Sequence, residues 1–296
     1  MLEHLDPVPR NPERVVVLGG SGFIGSAILS ALRKHAIPAL ALSRREVDLL
    51  APDAAEALAA QLRPRDAVVA AAAIAPAGTL AEVQLNLTLL QAVIGAFERV
   101  APDYVLNIGS DAVFTDLPVP LDEASPKAPS SFHGLMHVAR ELALAQGPWP
   151  LGTLRPTLVY GFADPHNGYG PNRFRRLAQA GEDITLFGEG EERRDHVFVA
   201  DVAELAVRML RHRSRGSLNA ATGMVWSFRE VASMVAAREE RPVRILGSRR
   251  TGPMPHNGYR PFDVAATRAA FPDFAYTPLP AGLALARLPD TGDTDA

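Results

Sequence analysis

Short apolar runs alternate with amphipathic stretches along the first half of the chain. Four consecutive apolar residues, Val15 to Leu18, form the first run, and a run of this length predicts a buried strand. Further runs predict strands at Ala39–Ser43, Ala67–Ala71, Tyr104–Ile108 and Leu151–Leu158. Between the runs, apolar residues recur at helical spacing, which predicts helices over Phe23–His35, Ala54–Leu62, Leu80–Val100 and His133–Gln146. This alternation is typical of an α/β fold with a doubly wound parallel sheet of the Rossmann type.

The alternation ends near residue 160, where loops rich in glycine and proline begin. We therefore predict a dinucleotide-binding Rossmann domain over residues 1–165, to which the chain returns at about 195–222. Residues 166–290 are predicted to form a smaller, mainly substrate-binding region, and residues 291–296 a frayed tail. Predicted helices of this region are Arg173–Ala180, Val202–Arg211 and Phe228–Arg238, and predicted extended segments are Ile184–Phe187 and Val243–Leu246.

A glycine-rich turn joins the first predicted strand to the first predicted helix. Gly19 allows a tight turn out of the strand, Gly22 leaves room for a pyrophosphate, and Gly25 lets the helix pack close to the strand. The N-terminus of such a helix also attracts a phosphate through its free N–H groups. The predicted cofactor-binding residues of this turn are Gly19, Ser21, Gly22, Phe23, Ile24 and Gly25.

The end of the second predicted strand bears on the choice of cofactor. NAD-binding proteins of this architecture usually carry an acid there for the ribose 2′-hydroxyl, whereas a basic residue suits a 2′-phosphate. No acid follows the strand directly, and Ser43 and Arg44 offer a hydroxyl and a planar guanidinium instead. This pattern favours NADP(H), with NAD possible, and Asp48 could lie beside the adenine. Alternatively, Arg44 and Arg45 are ordinary solvated arginines.

Composition and charge narrow the class of protein. Of the 296 residues, 47% are hydrophobic, the net charge is −3, and there is no cysteine. The mild charge gives no indication of nucleic acid or a membrane surface as partner, and the lack of cysteine excludes disulfides and thiolate nucleophiles. Residues 1–13 do not resemble a signal peptide, and no continuous apolar run reaches the roughly 18 residues of a spanning helix. We therefore expect a cytoplasmic protein.

From Val15 to about Phe271 the chain resembles the extended short-chain dehydrogenase/reductase family, whose members mostly act on nucleotide sugars. The motifs that carry the resemblance are Gly19–Gly25, the alanine run Ala70–Ala73, Asn86, Ile108–Phe114, Leu154–Gly161 and Leu186–Leu205. The segment SRREVDLL is similar to GDP-fucose synthase, and SDAVF is similar to dTDP-4-dehydrorhamnose reductase. The resemblance implies that the backbone of Ala71, Ala72 and Ala73 lines the cofactor.

The family's catalytic groups are a Ser or Thr, a Tyr and a Lys, the last two spaced Y-x-x-x-K on a helix. Ser110 matches the family Ser, and Asp111 matches an aspartate of the rhamnose-precursor reductases and the 4,6-dehydratases. The dehydratases continue with a Glu and GDP-fucose synthase with a Cys, but this chain has Ala112, which argues against dehydration and that type of epimerisation.

Two histidines, His133 and His137, stand at the family's Tyr and Lys positions. In one interpretation His133 transfers the proton, since an imidazole has an ordinary pKa of about 6.5, and His137 lies one turn away on the same face. In a second, the site binds a dinucleotide without redox chemistry. In a third, both histidines bind a metal, with Asp111 or Glu141 as the nearest third ligand; we predict no metal.

Three residues are predicted to contact the substrate: Arg194, which matches a family arginine often near the diphosphate, and Asn172 and Arg173. His166 lies in a loop that could cover the sugar, and Tyr259-Arg260 could contact a nucleotide. Asp195 and Asp201 are predicted to be structural, Asp201 as the N-cap of a helix.

The predicted activity is NADP(H)-dependent reduction of a keto group on a nucleotide-activated sugar, with Ser110 and His133 as catalytic groups. The alternatives are an NAD(P)-dependent nucleotide-sugar epimerase and a non-catalytic dinucleotide-binding protein. The resemblance also implies a homodimer, paired through the helices Leu80–Val100 and His133–Gln146. No nucleic acid or membrane partner is expected.

Overall fold

The structure is a computed structural model that describes residues 2–287. Its strands are β1 (Glu3–His4), β2 (Val15–Leu18), β3 (Ala39–Leu42), β4 (Ala67–Ala70), β5 (Tyr104–Ile108), β6 (Leu151–Pro156), β7 (Leu158–Tyr160), β8 (Ile184–Phe187), β9 (Arg193–Phe198), β10 (Ser214–Ala220), β11 (Val225–Ser227), β12 (Ile245–Ser248) and β13 (Tyr259–Arg260). Its α-helices are α1 (Phe23–Lys34), α2 (Ala54–Ala59), α3 (Leu80–Arg99), α4 (Phe132–Leu144), α5 (Pro171–Gln179), α6 (Val199–His212), α7 (Phe228–Ala236), α8 (Ala265–Ala270) and α9 (Leu279–Leu285).

Seven strands form the central sheet in the order β1-β10-β6-β5-β4-β2-β3. Every pair is parallel except β1 with β10 at the edge. Strands β2, β4 and β5 are buried along their whole length because helices cover both faces, as is usual for parallel sheets. Helices α1 and α6 pack on one face and α2 and α3 on the other. The predicted doubly wound Rossmann-type fold is confirmed.

The sheet has its topological switch point at β2. From β2 the chain runs outward to β3 on one side and then returns to β4 on the other side. The loops that follow β2 and β4 therefore diverge and leave a crevice at the carboxyl ends of the strands, where α/β proteins of this kind bind their ligands.

The C-terminal region has its own small sheets and core. Strand β9 pairs with β7, β11 and β13, and β8 pairs with β12. The strand predicted over Leu151–Leu158 is present as β6 but ends earlier, at Pro156, and Leu158 belongs to β7, which leaves the central sheet to pair with β9. The chain returns to the central sheet at β10, which pairs with β6; the division into domains stays a prediction. The predicted tail, residues 291–296, lies outside the described residues.

Helix α3 is the one described helix long and apolar enough, by length and composition, to cross a membrane. The sequence expectation that no such segment exists was based on uninterrupted runs and missed it. The inner face of α3 belongs to the hydrophobic core between the sheet and helices α2 and α3, where Val93, Ala96 and Phe97 are buried. In this structure α3 therefore serves as a core helix.

Candidate functional site

The glycine-rich turn has no space for side chains at two positions. A Cβ atom at Gly19, whose φ is +80°, would lie 2.8 Å from the backbone N and Cα of Ala72. A Cβ atom at Gly25 would lie 2.1 Å from the carbonyl oxygen of Gly19. No side chain caps the N-terminus of α1 at Gly22, so its N–H groups are available to a phosphate. This cradle fits the pyrophosphate of a dinucleotide, although direct cofactor contact by these residues stays a prediction.

The substitution Gly25→Ala is expected to reduce dinucleotide affinity at least tenfold and to lower the melting temperature. The added methyl group would push α1 away from the Gly19 carbonyl, and two backbone segments cannot yield as a flexible side chain would. Titration calorimetry and thermal unfolding measure the two effects. Gly168→Ala is the matched control, since a Cβ there meets nothing within 4 Å, and an equal loss of affinity in the control would contradict this account.

A buried arginine, Arg140, binds the backbone at the end of β4, beside the crevice. The Arg140 guanidinium on α4 donates to the carbonyl oxygens of Ala70, at 2.5 Å, and Ala72, at 2.6 Å. Its Nε donates to Oδ1 of Asn107 on β5 at 2.7 Å. Burial lowers the pKa of Arg140 to about 10, which still leaves it charged at neutral pH. Sequence reasoning missed this residue, although an arginine on the inner face of an apolar helix was a visible signal.

The end of β3 opens into a cleft of about 590 Å³ lined by Ser21, Ser43, Arg44, Arg45 and Glu46. This is where the sequence predicts the adenosine ribose. Arg44 is exposed and forms an ion pair with Asp48 at 3.2 Å. An acid does reach the strand end, contrary to the sequence expectation, because the turn folds Glu46 back onto Ser43, whose N–H and Oγ–H donate to Oε2 of Glu46 at 2.7 and 2.5 Å.

Ser110 and His133 are brought to the same edge of the sheet by a close backbone contact. Ser110 follows β5 and caps a short 3-10 turn, its Oγ accepting from the Ala112 N–H at 3.1 Å. A Cβ atom at Gly134 would lie 2.1 Å from the Ala112 carbonyl oxygen. Only glycine therefore lets the first turn of α4, which carries His133, pack directly against the turn that begins at Ser110.

His133 and His137 stack edge to face, with ring centroids 4.7 Å apart. Nδ1 of His133 accepts a long hydrogen bond of 3.5 Å from the Ala77 N–H, which leaves Nε2 to carry the proton of the neutral ring. Burial lowers the pKa of His133, and the charge of Asp111 opposes that shift. Burial, then the positive charges of His133 and Arg140, hold the pKa of His137 well below its ordinary value. Both rings are therefore mainly neutral at neutral pH.

The geometry does not support the metal interpretation. Among residues 2–287, no three His, Asp or Glu side chains are grouped as a metal site would require. Glu141, a suggested third ligand, accepts from Arg155 at 2.7 Å and from Lys127 at 2.7 Å. Asp111, the other suggestion, lies 3.3 Å from Nε of Arg260. Each carboxylate is thus already neutralised by a cation.

Two neighbouring arginines, Arg194 and Arg260, lie close to the carboxylate of Asp111. Strands β9 and β13 are parallel and place Arg194 opposite Arg260. Asp111 is within 3.9 Å of Arg194 and 3.3 Å of Arg260, and Arg260 also bonds Asp116. His256 joins this cluster through Asp116 at 2.8 Å. Asp116 and His256 were missed because about 140 residues separate them in sequence, and no local pattern signals such a contact.

The remaining predicted substrate residues differ in exposure. Asn172 is buried, and its Oδ1 accepts from the Gly161 N–H at 3.0 Å, so its amide braces the loop after β7. Arg173 and His166 are exposed. Substrate contact by these residues stays a prediction.

Of the two aspartates predicted to be structural, Asp195 fits that role: it accepts from Thr157 Oγ1 and from the N–H groups of Thr222 and Gly223 at 2.8 to 3.0 Å. The predicted N-cap role of Asp201 is wrong. Helix α6 begins earlier, at Val199, and the Asp201 carboxylate accepts from Thr277 instead.

Comparison with known proteins identifies the family. A profile described as the NAD dependent epimerase/dehydratase family matches residues 15–221, and the chain belongs to this family. The membership confirms the predicted enzyme class. It also confirms the resemblance to the extended short-chain dehydrogenases/reductases.

Two curated relatives are each described as dTDP-4-dehydro-6-deoxy-D-allose reductase, one from Streptomyces bikiniensis and one from another Streptomyces. Each is 36% identical over 98 residues, which make up 31% of this chain and 29% of the relative. The similarity to these reductases therefore spans less than a third of their length.

Solved structures share the fold over almost the whole chain. MoeE5 in complex with UDP-glucose and NAD is 25% identical with a TM-score of 0.78, covering 92% of this chain and 97% of that one. The Thermus thermophilus UDP-glucose 4-epimerase complex with NAD is 23% identical with a TM-score of 0.80, covering 92% and 97%. The Bacillus cereus UDP-N-acetylglucosamine 4-epimerase is 22% identical with a TM-score of 0.79, covering 96% and 98%.

Proposed function

We propose that this protein reduces a keto group on a nucleotide-activated sugar with NADP(H) as cofactor. The observation that carries the proposal is the close contact between the Ser110 turn and the first turn of α4. Through this contact a hydroxyl and an ionisable imidazole share the carboxyl edge of the sheet with the glycine-rich turn. A hydroxyl donor and a proton donor at one carbonyl oxygen are the groups that keto reduction requires.

Each residue has a role that its contacts allow. Ser110 Oγ accepts from the Ala112 N–H at 3.1 Å and donates only a long hydrogen bond of 3.5 Å to Oδ1 of Asp111, which a hydrogen bond to the substrate oxygen would replace. His133 in its protonated form gives a proton to that oxygen as it becomes an alkoxide. Bound NADPH supplies the hydride that the keto carbon gains. Arg194 and Arg260 lie opposite each other on β9 and β13, and guanidinium groups suit the diphosphate of a nucleotide sugar. Because both are paired with Asp111, and Arg260 also with Asp116, a diphosphate would compete with these carboxylates.

The relatives support reduction and also supply the competing activity. The partial match to two proteins described as reductases favours reduction. The structures described as 4-epimerases favour epimerisation, in which the cofactor would be oxidised and reduced again within each turnover. Ala112, in place of the acid of the dehydratases, argues against loss of water.

The test is oxidation of NADPH by the purified, metal-stripped protein with a panel of nucleotide 4-keto-6-deoxy sugars. Turnover is expected, followed as loss of absorbance of the reduced nicotinamide. Cofactor binding without turnover on the panel would contradict the proposal. A second assay, interconversion of UDP-sugars without net NADPH oxidation, would then distinguish an epimerase from a binding protein.

We further propose that the protein acts in the cytoplasm, a location that cell fractionation would check. We also propose that it forms a homodimer through α3 and α4. Helices α3 and α4 pack against each other and both carry exposed apolar side chains, and the family resemblance favours a second copy of the chain as the occupant of this face. These side chains are Leu80, Leu85 and Leu87 on α3 and Phe132, Leu135 and Leu142 on α4. Unpaired, they would form an apolar patch of the kind that marks interfaces.

The substitution Leu142→Glu is expected to convert the dimer to a monomer. Leu142 is 62% exposed, so the charge is tolerated in the monomer but would be buried in the interface. Light scattering coupled to size exclusion measures the mass. Val8→Glu, at a side chain 67% exposed in the N-terminal segment that bonds the end of α6, is the control; a dimeric Leu142→Glu variant would exclude this interface.

A further inference from the structure

A histidine that no local sequence pattern marks joins the charged cluster of the candidate site. His256 lies in the segment before β13, and its Nδ1 is 2.8 Å from Oδ1 of Asp116 and 2.7 Å from Nη1 of Arg260. The backbone φ angles of His256 and Asn257 are +52° and +51°, a left-handed conformation that is uncommon outside glycine and recurs at ligand clamps. The fold therefore holds this imidazole in a specific place beside Arg260.

The cluster around His256 carries a net negative charge as long as the imidazole is neutral. Two guanidinium groups face three carboxylates in it: Arg194 and Arg260, and Asp111, Asp116 and Glu192. Arg260 and Glu192 are buried, and charges at such sites are screened less than charges on the surface. The diphosphate of a nucleotide sugar adds about one negative charge on each phosphate, so its binding here requires a compensating positive charge.

We propose that His256 supplies this charge by taking up a proton from solvent when a nucleotide-linked diphosphate binds Arg194 and Arg260. His256 then acts as the third cation of the diphosphate site. This inference rests on the proposed contact between the two arginines and the substrate diphosphate, and on no step of the reduction. It adds a binding residue and a dependence of substrate affinity on pH.

The charges around His256 explain why it is the residue that gains the proton. Histidine has the ordinary pKa closest to neutral among the groups of this cluster. Burial, followed by the charges of Arg194 and Arg260, lowers the pKa of His256, and the hydrogen bond and charge of Asp116 oppose this shift. The free protein therefore holds a mainly neutral ring at neutral pH. A diphosphate neutralises the two arginines that disfavour the imidazolium, so the pKa of His256 rises on binding.

The neutral and the protonated ring use Nδ1 differently. Nη1–H of Arg260 donates only to a lone pair on Nδ1, whereas Asp116 accepts only from an Nδ1–H group. A neutral ring with its proton on Nε2 makes the first contact, and a protonated ring makes the second. Protonation therefore exchanges Arg260 for Asp116 as the partner of Nδ1. It releases an N–H group of Arg260 to a phosphate oxygen and leaves Nε2–H of His256 as a further donor.

The experiment is calorimetric titration of UDP-glucose and dTDP-glucose into the full chain from about pH 6 to about pH 8, in buffers of different ionisation enthalpy. Each phosphate of these probes is bonded on both sides and keeps about one negative charge throughout this range. Comparison of the buffers gives the number of protons taken up with the ligand. We expect net proton uptake near neutral pH, and a dissociation constant that rises at least about fivefold across the range.

His256→Gln removes the titrating group and keeps a polar side chain. The variant should lose most of the proton uptake and most of the dependence of the dissociation constant on pH, with its affinity closest to the wild type at the alkaline end. His35→Gln, at a ring that bonds Glu204, is the matched control and should retain both effects. The same titration of His133→Gln tests the other ionisable ring of the site. Uptake that disappears with His133 and persists without His256 would overturn the assignment.

Asp116→Asn provides a second test if His256→Gln is less stable. The substitution leaves two arginines against two carboxylates, so the cluster no longer needs a proton to accept the diphosphate. The affinity at alkaline pH should rise, and the proton uptake should fall. If Asp116 and His256 only brace the fold, the affinity should decrease at every pH, and that result would overturn the proposal.

The outcomes separate this inference from the proposed activity. Binding of a probe without proton uptake, and with an affinity that does not depend on pH, would overturn the role of His256 and leave the reductase proposal standing. Binding of neither probe at any pH would overturn both the diphosphate site and the nucleotide-sugar class of substrate. Proton-linked binding without turnover of keto sugars would contradict only the reductase.

Discussion

Replacing His133 by glutamine is expected to lower the turnover of the proposed reductase by at least about a hundredfold, the usual contribution of a positioned general acid. Glutamine retains a polar side chain of similar reach but cannot release a proton to the substrate oxygen. NADPH affinity should stay within a few-fold, because the cofactor is predicted to lie on the glycine-rich turn and the alanine run. Steady-state kinetics and a binding titration on the same preparation measure both quantities.

The control is His35→Gln at the end of α1, where the ring bonds Glu204 far from Ser110. It should reduce neither turnover nor affinity. Full turnover in His133→Gln would exclude His133 as the proton donor and would leave Ser110 as the candidate group nearest the substrate.

The pH profile gives an independent check on the same residue. Burial lowers the pKa of His133, so the protonated donor decreases in population as pH rises through a value below about 6.5. The rate of reduction should therefore fall from acidic to neutral pH, provided that chemistry limits the rate. A profile that is flat across this range would contradict a charged imidazole donor.

Removing the carboxylate of Glu141 is expected to destabilise the protein by about 3 to 5 kcal/mol. The guanidinium of Arg155 is almost completely buried and donates to both oxygens of Glu141, at 2.7 and 2.9 Å. In Glu141→Met that cation would stay buried without its anion. Urea unfolding measures the loss, and Glu98→Met, an exposed glutamate of α3, should change stability little.

A double substitution tests whether the loss comes from the unpaired charge. Glu141→Met with Arg155→Met should recover much of the stability, because apolar replacement of a buried pair is often tolerated. No recovery would mean that helix α4 depends on other contacts of Glu141.

The same pair predicts how stability depends on pH. Burial alone would raise the pKa of Glu141, but the hydrogen bonds and charges of Arg155 and Lys127 outweigh it and hold the pKa below its ordinary value. The stabilisation is therefore present above the ordinary glutamate pKa and is lost as pH falls through the depressed value of the folded protein. The wild type should lose this part of its stability in acid, whereas the double methionine variant should not.

Local pattern was sufficient for five of the seven strands of the central sheet, whereas β1 and β10 were not predicted. Strands β2 and β5 and the starts of α1 and α3 lie where the apolar runs and helical spacing predict them. Errors occur where the chain changes partner without a clear change in its pattern. Residues 151–160 have the pattern of one extended segment, so nothing local signals that β7 separates from β6 to pair with β9.

The candidate site was predictable only in part. The glycine spacing requires a tight turn between strand and helix, and Ser110 follows a buried strand, so both could be placed at the carboxyl edge of the sheet. The apolar face of α4 marks Arg140 as unusual, but its partners, like those of Asp116, are remote in sequence and could not be predicted.

The sequence by itself determined five strands of the central sheet, the glycine cradle and the family, since hydrophobic periodicity and glycine spacing are local properties of the chain. Only the tertiary structure decided the chemistry around them. It placed Glu46 at the end of β3, lowered the pKa values of His133 and His137 by burial, and paired Glu141 with Arg155. The physical reason is that burial and charge pairing depend on which segments pack together, and the neighbours of a residue in space are set by the whole fold.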